Sequence, residues 1–125
     1  MEIASRVPEV IEFAKTLNNT PWCDEYEKMI SGMLYNAVVP DLEAARFKAR
    51  KFMNKYNSYF PDNSTPASLT ADREAMLKQV VGSIGKSPFI EPPINIDYGC
   101  NISIGDNFYS NFKQHLYQGF NPFLP

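Results

Sequence analysis

Between Pro88 and Lys113 the chain keeps a period of six. Ile90, Ile96, Ile102 and Phe108 stand six apart, and Gly99 and Gly105 keep the same spacing. Tyr98 and Ile104 form a second set two residues later. A period of six matches neither the 3.6 of a helix nor the 2 of a strand. It matches a parallel β-helix of hexapeptide repeats, in which each hexad forms one side of a triangular coil. The first residue of each hexad then points inward and stacks on its equivalent one coil away. Glycine suits the corners because it tolerates positive φ. Asn101 and Asn107 fall just before the next apolar residue, and asparagine is the next best corner residue. The following beat is Gln114, and QHLYQGFNPFLP does not resume the period. Repeat architectures need about three stacked units to bury a shared core. The expectation is therefore a truncated solenoid, with little more than its first coil.

Upstream, periodicity predicts four helices. The first spans 5–17, with Val7, Val10, Ile11, Ala14 and Leu17 on one face and Ser5 as cap. The second starts near Asp24, where Asp24 and Glu27 resemble a capping box, and buries Tyr26, Met29, Ile30, Met33 and Leu34. The third follows Pro40, with Leu42, Ala45, Ala49, Phe52, Met53 and Tyr56 as its stripe. Its basic residues Arg46, Lys48, Arg50, Lys51 and Lys55 read as a solvated face. Residues 57–69 read as a loop. A fourth helix is expected from Thr70 to a terminator at Gly85, with Leu77, Val80, Val81 and Ile84 inward. An open solenoid end exposes unpaired edges and needs a cap, which these helices can supply. The fold class is α+β: a helical cap followed by the first coil of a parallel β-helix. The divisions are a helical extension over 1–21, a helical domain over 22–87, the start of the coil over 88–113 and a non-repeat tail over 114–125.

The 125 residues suit one domain, and the net charge of −2 gives no field for nucleic acid or an anionic membrane. No stretch has the roughly 20 apolar residues that span a bilayer, and the N-terminus lacks a signal-peptide pattern. A cytoplasmic protein is expected. Cys23 and Cys100 lie in unlike contexts and read as free thiols.

Few residues offer chemistry. One histidine and two scattered cysteines form no metal constellation. Gly82–Ser87 lacks the spacing and preceding strand of a phosphate loop and reads as a helix terminus. His115 stands in the tail, where packing or exposure explains it better than catalysis. Asp97, Asn101, Asn107 and Asn111 can bind hydroxyls or form turns. The corner rhythm assigns Asn101 and Asn107 to turns; Asp97 and Asn111 fit turns less well.

Trp22, Glu27-Lys28-Met29, Gly32-Met33-Leu34-Tyr35, Pro40-Asp41-Leu42, Arg50, Tyr56-Asn57 and Gly82–Gly85 lead into Phe89-Ile90-Glu91-Pro92-Pro93. Asp97–Ile102, Ile104-Gly105, Asn107-Phe108-Tyr109 and Asn111-Phe112 follow. Over about residues 22 to 112 these motifs resemble the N-terminal portion of the maltose and galactoside O-acetyltransferases. That family is the sugar-acetylating branch of the hexapeptide-repeat, left-handed β-helix class. The resemblance implies acetyl transfer from acetyl-CoA to a sugar hydroxyl, without a metal, and a trimer with active sites between subunits. It places acceptor contacts at Asp97 and Asn111, with Tyr109 nearby. A further contact falls at Asn36-Ala37, where the family often has an acidic residue. The family's general-base histidine and CoA-binding coils have no counterpart up to Phe112, and His115 lies in no family motif.

Two roles compete. The first is a sugar O-acetyltransferase by descent, inactive alone or completed by another chain. The second is a non-catalytic module that forms a mixed oligomer with full-length relatives.

Overall fold

The computed structural model describes residues 5–111. Four helices precede four two-residue strands: α1 Pro8–Ala14, α2 Asp24–Ile30, α3 Pro40–Asn57 and α4 Pro66–Lys78, then β1 Ser83–Ile84, β2 Phe89–Ile90, β3 Ser103–Ile104 and β4 Tyr109–Ser110. Gln114 and His115 of the tail lie outside the described residues.

Helix α1 is shorter than expected. Pro8 opens it at a position that needs no N–H donor. Val7, not Ser5, is the cap residue, and its N–H is taken by the Ser31 hydroxyl at 3.1 Å. Arg6 fastens this end to α2 through Asp24 and Glu27. Glu27 therefore serves no capping box. Its other oxygen accepts from the Trp22 indole at 2.9 Å, and Cys23 is the N-cap.

Helix α2 stops at Ile30, so Leu34 is 94% exposed instead of buried. The stop is a Schellman motif: Met33 N–H reaches Lys28 O at 2.9 Å and Gly32 N–H reaches Met29 O at 3.2 Å. Gly32 adopts φ 77°, and an added Cβ would meet nothing within 4 Å. Gly32→Ala is thus a purely conformational test. It should cost about 1–2 kcal/mol, the penalty of a left-handed L-residue, read by chemical denaturation.

Helix α3 matches expectation, with Leu42, Ala49 and Tyr56 fully buried. Helix α4 does not. It begins at Pro66, where Thr65 and Ser68 exchange side-chain-to-backbone hydrogen bonds of 2.9 and 3.0 Å. The loop expected to reach residue 69 therefore ends at the Thr65 cap, and Thr70 lies inside the helix. The helix also ends at Lys78, not Gly85. Val80 and Val81 stay buried in the following turn, and Ser83–Ile84 is a strand. The coil starts ahead of residue 88, and Gly82–Ser87 belongs to it.

The strands pair in parallel, β1 with β3 and β2 with β4. Ser83 faces Ser103 and Phe89 faces Tyr109, so one pass around the coil takes 20 residues. Three hexads would give 18. The first residues of β1 and β2, and of β3 and β4, are six apart, whereas those of β2 and β3 are fourteen apart. The two additional residues therefore lie between Ile90 and Ser103, on the side that contains the Pro92–Pro93 bond and the turn at 98–101. This slip corrects the inward set. Ile104, 9% exposed, lies beside Ile84, while Ile102 is 36% exposed and lends its carbonyl to Gly82 and Ser83 N–H. Ile90 is buried, and Ile96 and Phe108 are half-buried against the same core.

Corners behave partly as expected. Gly99 has φ 85° and Asn107 φ 58°, whereas Gly105 stays out of the positive-φ region. Ser87, twenty residues before Asn107, shares its left-handed conformation at φ 54°.

Cap and coil share two cores. One joins Tyr56, Met76, Leu77, Val80 and Val81 to Ile90 and Ile104. The other joins Ala14, Tyr26 and Leu42 to Cys100. Two phenol hydroxyls fasten the layers: Tyr26 donates to the Asn101 side-chain oxygen at 2.8 Å, and Tyr56 donates to the Ile90 carbonyl at 2.6 Å. Among the described residues no helix is long and apolar enough to cross a membrane.

Candidate functional site

The three expected acceptor residues fall on two parts of the coil. Tyr109 begins β4, directly beside Phe89 of β2, and the rings stack at 5.3 Å and 8°. Stacking fixes the phenol plane, while the side chain stays 46% exposed. Asn111 follows β4 and is half-buried. It is held in line because Glu91 N–H bonds Ser110 O at 2.9 Å. Tyr109 and Asn111 are thus presented by one short segment.

Asp97 lies on the long side of the coil and is tied to α3. Arg50 donates to its carboxylate at 3.0 Å and to its carbonyl at 3.1 Å. Both side chains are exposed, and exposed ion pairs are weak, so a hydroxyl ligand can compete for the carboxylate. One turn earlier on α3, Arg46 donates to the Tyr98 hydroxyl at 2.7 Å and lies 5.8 Å from its ring centroid. The hydrogen bond to Tyr98 holds the Arg46 guanidinium pKa above its ordinary value. Arg46 and Arg50 therefore clamp the Asp97-Tyr98 dipeptide. Reading the whole basic run as a solvated face missed this. The available signal was the i, i+4 spacing of two arginines, which puts both on one helix face.

The other polar corners have structural work. Asn101 receives Tyr26, and Asn107 in its left-handed turn donates its N–H to Lys86 O at 2.7 Å. Asp106 accepts from Lys86 N–H at 2.7 Å across the same corner. Asn36 closes a local turn by accepting from Val38 N–H at 3.0 Å. Around it, Leu34, Tyr35 and Val38 are exposed.

Both cysteines are free thiols. Burial pushes the Cys100 thiol pKa up, which keeps it protonated and unreactive. Among the described residues no cluster of histidine, cysteine or carboxylates can hold a metal. A cleft of about 490 Å³ between α3 and α4 is not lined by Asp97, Tyr109 or Asn111.

A helical cap on a parallel coil, with aromatic and polar groups displayed on that coil, agrees with similarity to known proteins. Residues 28–85 match the maltose acetyltransferase hexapeptide capping motif. This chain belongs to the maltose and galactoside acetyltransferase family. A putative acetyltransferase of Schizosaccharomyces pombe is 41% identical over 92 residues, covering 71% of this chain and 44% of that protein. The sophorolipid acetyltransferase of Starmerella bombicola is 33% identical over 109 residues, covering 84% and 42%. The galactoside O-acetyltransferase of Escherichia coli is 31% identical over 87 residues, covering 70% and 40%. Among solved structures, a galactoside acetyltransferase bound to coenzyme A superposes with TM-score 0.59 at 28% identity, covering 73% of this chain and 42% of that one. A hexapeptide-repeat acetyltransferase of Vibrio cholerae bound to acetyl-CoA gives TM-score 0.60 at 25% identity, covering 73% and 45%. The chain spans less than half the length of these relatives.

Proposed function

We propose that this family member supplies the helical cap and first coil of a left-handed β-helix acetyltransferase that acylates a sugar hydroxyl. The observation that carries the reading is the capping motif over residues 28–85, folded against a parallel coil that displays Asp97, Tyr109 and Asn111. The donor is acetyl-CoA. In the reaction an acceptor oxygen attacks the thioester carbonyl, a C–O bond forms, the C–S bond breaks, and the acceptor proton ends on the released thiol. The described residues suit binding and orientation. Tyr109 offers a rigid apolar plane for a sugar face and a hydroxyl at its edge. Asp97 and Asn111 hydrogen-bond sugar hydroxyls, and Arg46 and Arg50 set the position of the Asp97 segment. No histidine stands among the described residues, so a histidine general base of the kind the family resemblance implies would lie outside them. The coil from 83 to 111 carries Lys86 as its one cation, too little for the phosphates of CoA. Those phosphates are assigned to other coils or other subunits.

The second reading, a non-catalytic module that joins full-length relatives, draws on the exposed Leu34, Tyr35 and Val38 loop. Both readings imply an oligomer, a trimer or a mixed assembly, and a cytoplasmic setting.

Thiol release from acetyl-CoA, measured with a sugar panel on the chain alone and mixed with a full-length relative, separates them. Sugar-dependent release that falls at least tenfold in Asp97→Asn and Tyr109→Phe supports the transferase. A changed rate only in the mixture, indifferent to both substitutions, selects the module. Neither transfer nor any effect on the relative refutes both.

A further inference from the structure

The cleft between α3 and α4 has an unusual lining. Lys48, Lys51 and Lys55 form one stripe along α3, with Phe47 and Phe52 on either side of it. Met76 and Val80 close the floor. Phe47 is 65% exposed, and Lys51 sits 5.7 Å over its ring. None of the three lysines has an ion pair among the described residues. This is an open apolar trough beside an uncompensated row of positive charge.

Helix α1 carries the complement. Its outer face presents Phe13, 58% exposed, and Val10 beside Glu9 and Glu12. Among the described residues Glu12's one ion pair is with the exposed Lys15, the C-cap residue of α1, at 3.1 Å. Glu9 and Glu12 are three residues apart, a rise of about 4.5 Å, and Lys48 and Lys51 have the same separation. Phe13 projects beside the acidic pair as Phe47 and Phe52 flank the basic row. The α1 helix cannot swing into its own chain's trough. Arg6 binds Asp24 and Glu27, Val7 N–H binds Ser31, and Asn18 N–H binds Gly82 O at 2.8 Å, so both ends are fastened.

We propose that the α3–α4 trough is a docking site for the outer face of α1 from a second copy of this chain, with Phe13 in the trough and Glu9 and Glu12 against the lysine row. The contact joins unlike surfaces, so each copy offers both a donor and an acceptor face. A patch of this size falls short of a standard interface, so the association is weak and concentration-dependent. Its charged component is weakened by salt.

Sedimentation velocity over a concentration series tests the contact. Wild type should associate at high concentration, less so in 0.5 M salt. Glu9→Lys/Glu12→Lys and Lys48→Glu/Lys51→Glu should each lose this concentration-dependent, salt-sensitive step and keep the sedimentation coefficient of the most dilute wild type, because each sets like charges face to face. An equimolar mixture of the two should associate again, because each variant's α1 then matches the other's trough. These positions are exposed, and circular dichroism confirms that both variants fold. A wild-type sedimentation coefficient that does not change with concentration, or a concentration dependence unchanged in either variant, overturns the proposal. So does a mixture that shows no concentration-dependent step. A chain without that step that instead binds decanoate in a Lys51-dependent way assigns the trough to anionic amphiphiles and equally refutes self-docking.

Discussion

Gly82→Ala should be among the most damaging single substitutions in the chain. An alanine Cβ there would lie 2.1 Å from the Cys100 carbonyl oxygen and 3.2 Å from that of Ile102. The obstacle is backbone, which cannot rotate aside as a flexible side chain can. Gly82 N–H also donates to Ile102 O at 3.0 Å, and its carbonyl receives Asn18 N–H. Relieving the clash therefore strains the β1–β3 ladder and the seat of α1 together. A loss of about 3 kcal/mol or more is expected, at the upper end of overpacking costs. Against a total stability of about 5–15 kcal/mol this lowers Tm by roughly 10 °C or more. Thermal melting reads it directly. A change within experimental error would mean that the strand does not pass this close to Cys100.

The second large effect is expected at Tyr26, which α2 buries fully in one core with Ala14, Leu42 and Cys100. Tyr26→Ala removes an aromatic ring from a packed core and should cost about 3–5 kcal/mol. Tyr26→Phe keeps the ring and loses only the bond to Asn101. That oxygen is close enough to solvent to recruit water, so the cost should be about 0.5–1.5 kcal/mol. The ratio of the two in denaturant titration separates packing from the tether. Alkali offers a third reading. Burial pushes the phenol of Tyr26 far up and that of Tyr56 up to about 12, against an ordinary value near 10. The folded chain thus keeps protons that the unfolded chain has released. Stability should be intact below pH 10 and decline as pH rises towards 12 and beyond. In Tyr26→Phe the decline should be shallower.

The sequence exposed some elements well and hid others for identifiable reasons. Helix α3 was legible because Pro40 and an unbroken apolar stripe agree. The start of α4 was hidden because serine, not glutamate, occupies the reciprocal position of its capping box. Ile84 belongs to two patterns at once. It continues the helical spacing of Leu77, Val80 and Val81, and it stands six before Ile90. Periodicity alone assigned it to the helix, while pairing with Ile104 places it in the coil. The slip to 20 residues was hidden by Tyr98 and Ile104, which repeat the beat two places late and disguise the added pair. For the candidate site, Asp97 and Asn111 stood out as polar groups that fit turns less well, and the resemblance gave them an acceptor role and added Tyr109. Arg46 and Arg50 did not stand out, because an exposed arginine on a helix looks the same in sequence whether it meets water or a neighbouring turn.

The hydroxyl tethers from Tyr26 and Tyr56 separate two kinds of fastening. Backbone ladders fix how one wall of the coil sits on the next, and they depend on side-chain identity only at close approaches such as Gly82. The helical layer is attached by ring packing and by side-chain hydrogen bonds from Tyr26, Tyr56, Asn57, Arg46 and Arg50, which single substitutions can weaken or retune. A substitution in the helical layer can therefore alter the surface above the coil while the backbone ladders beneath keep their register.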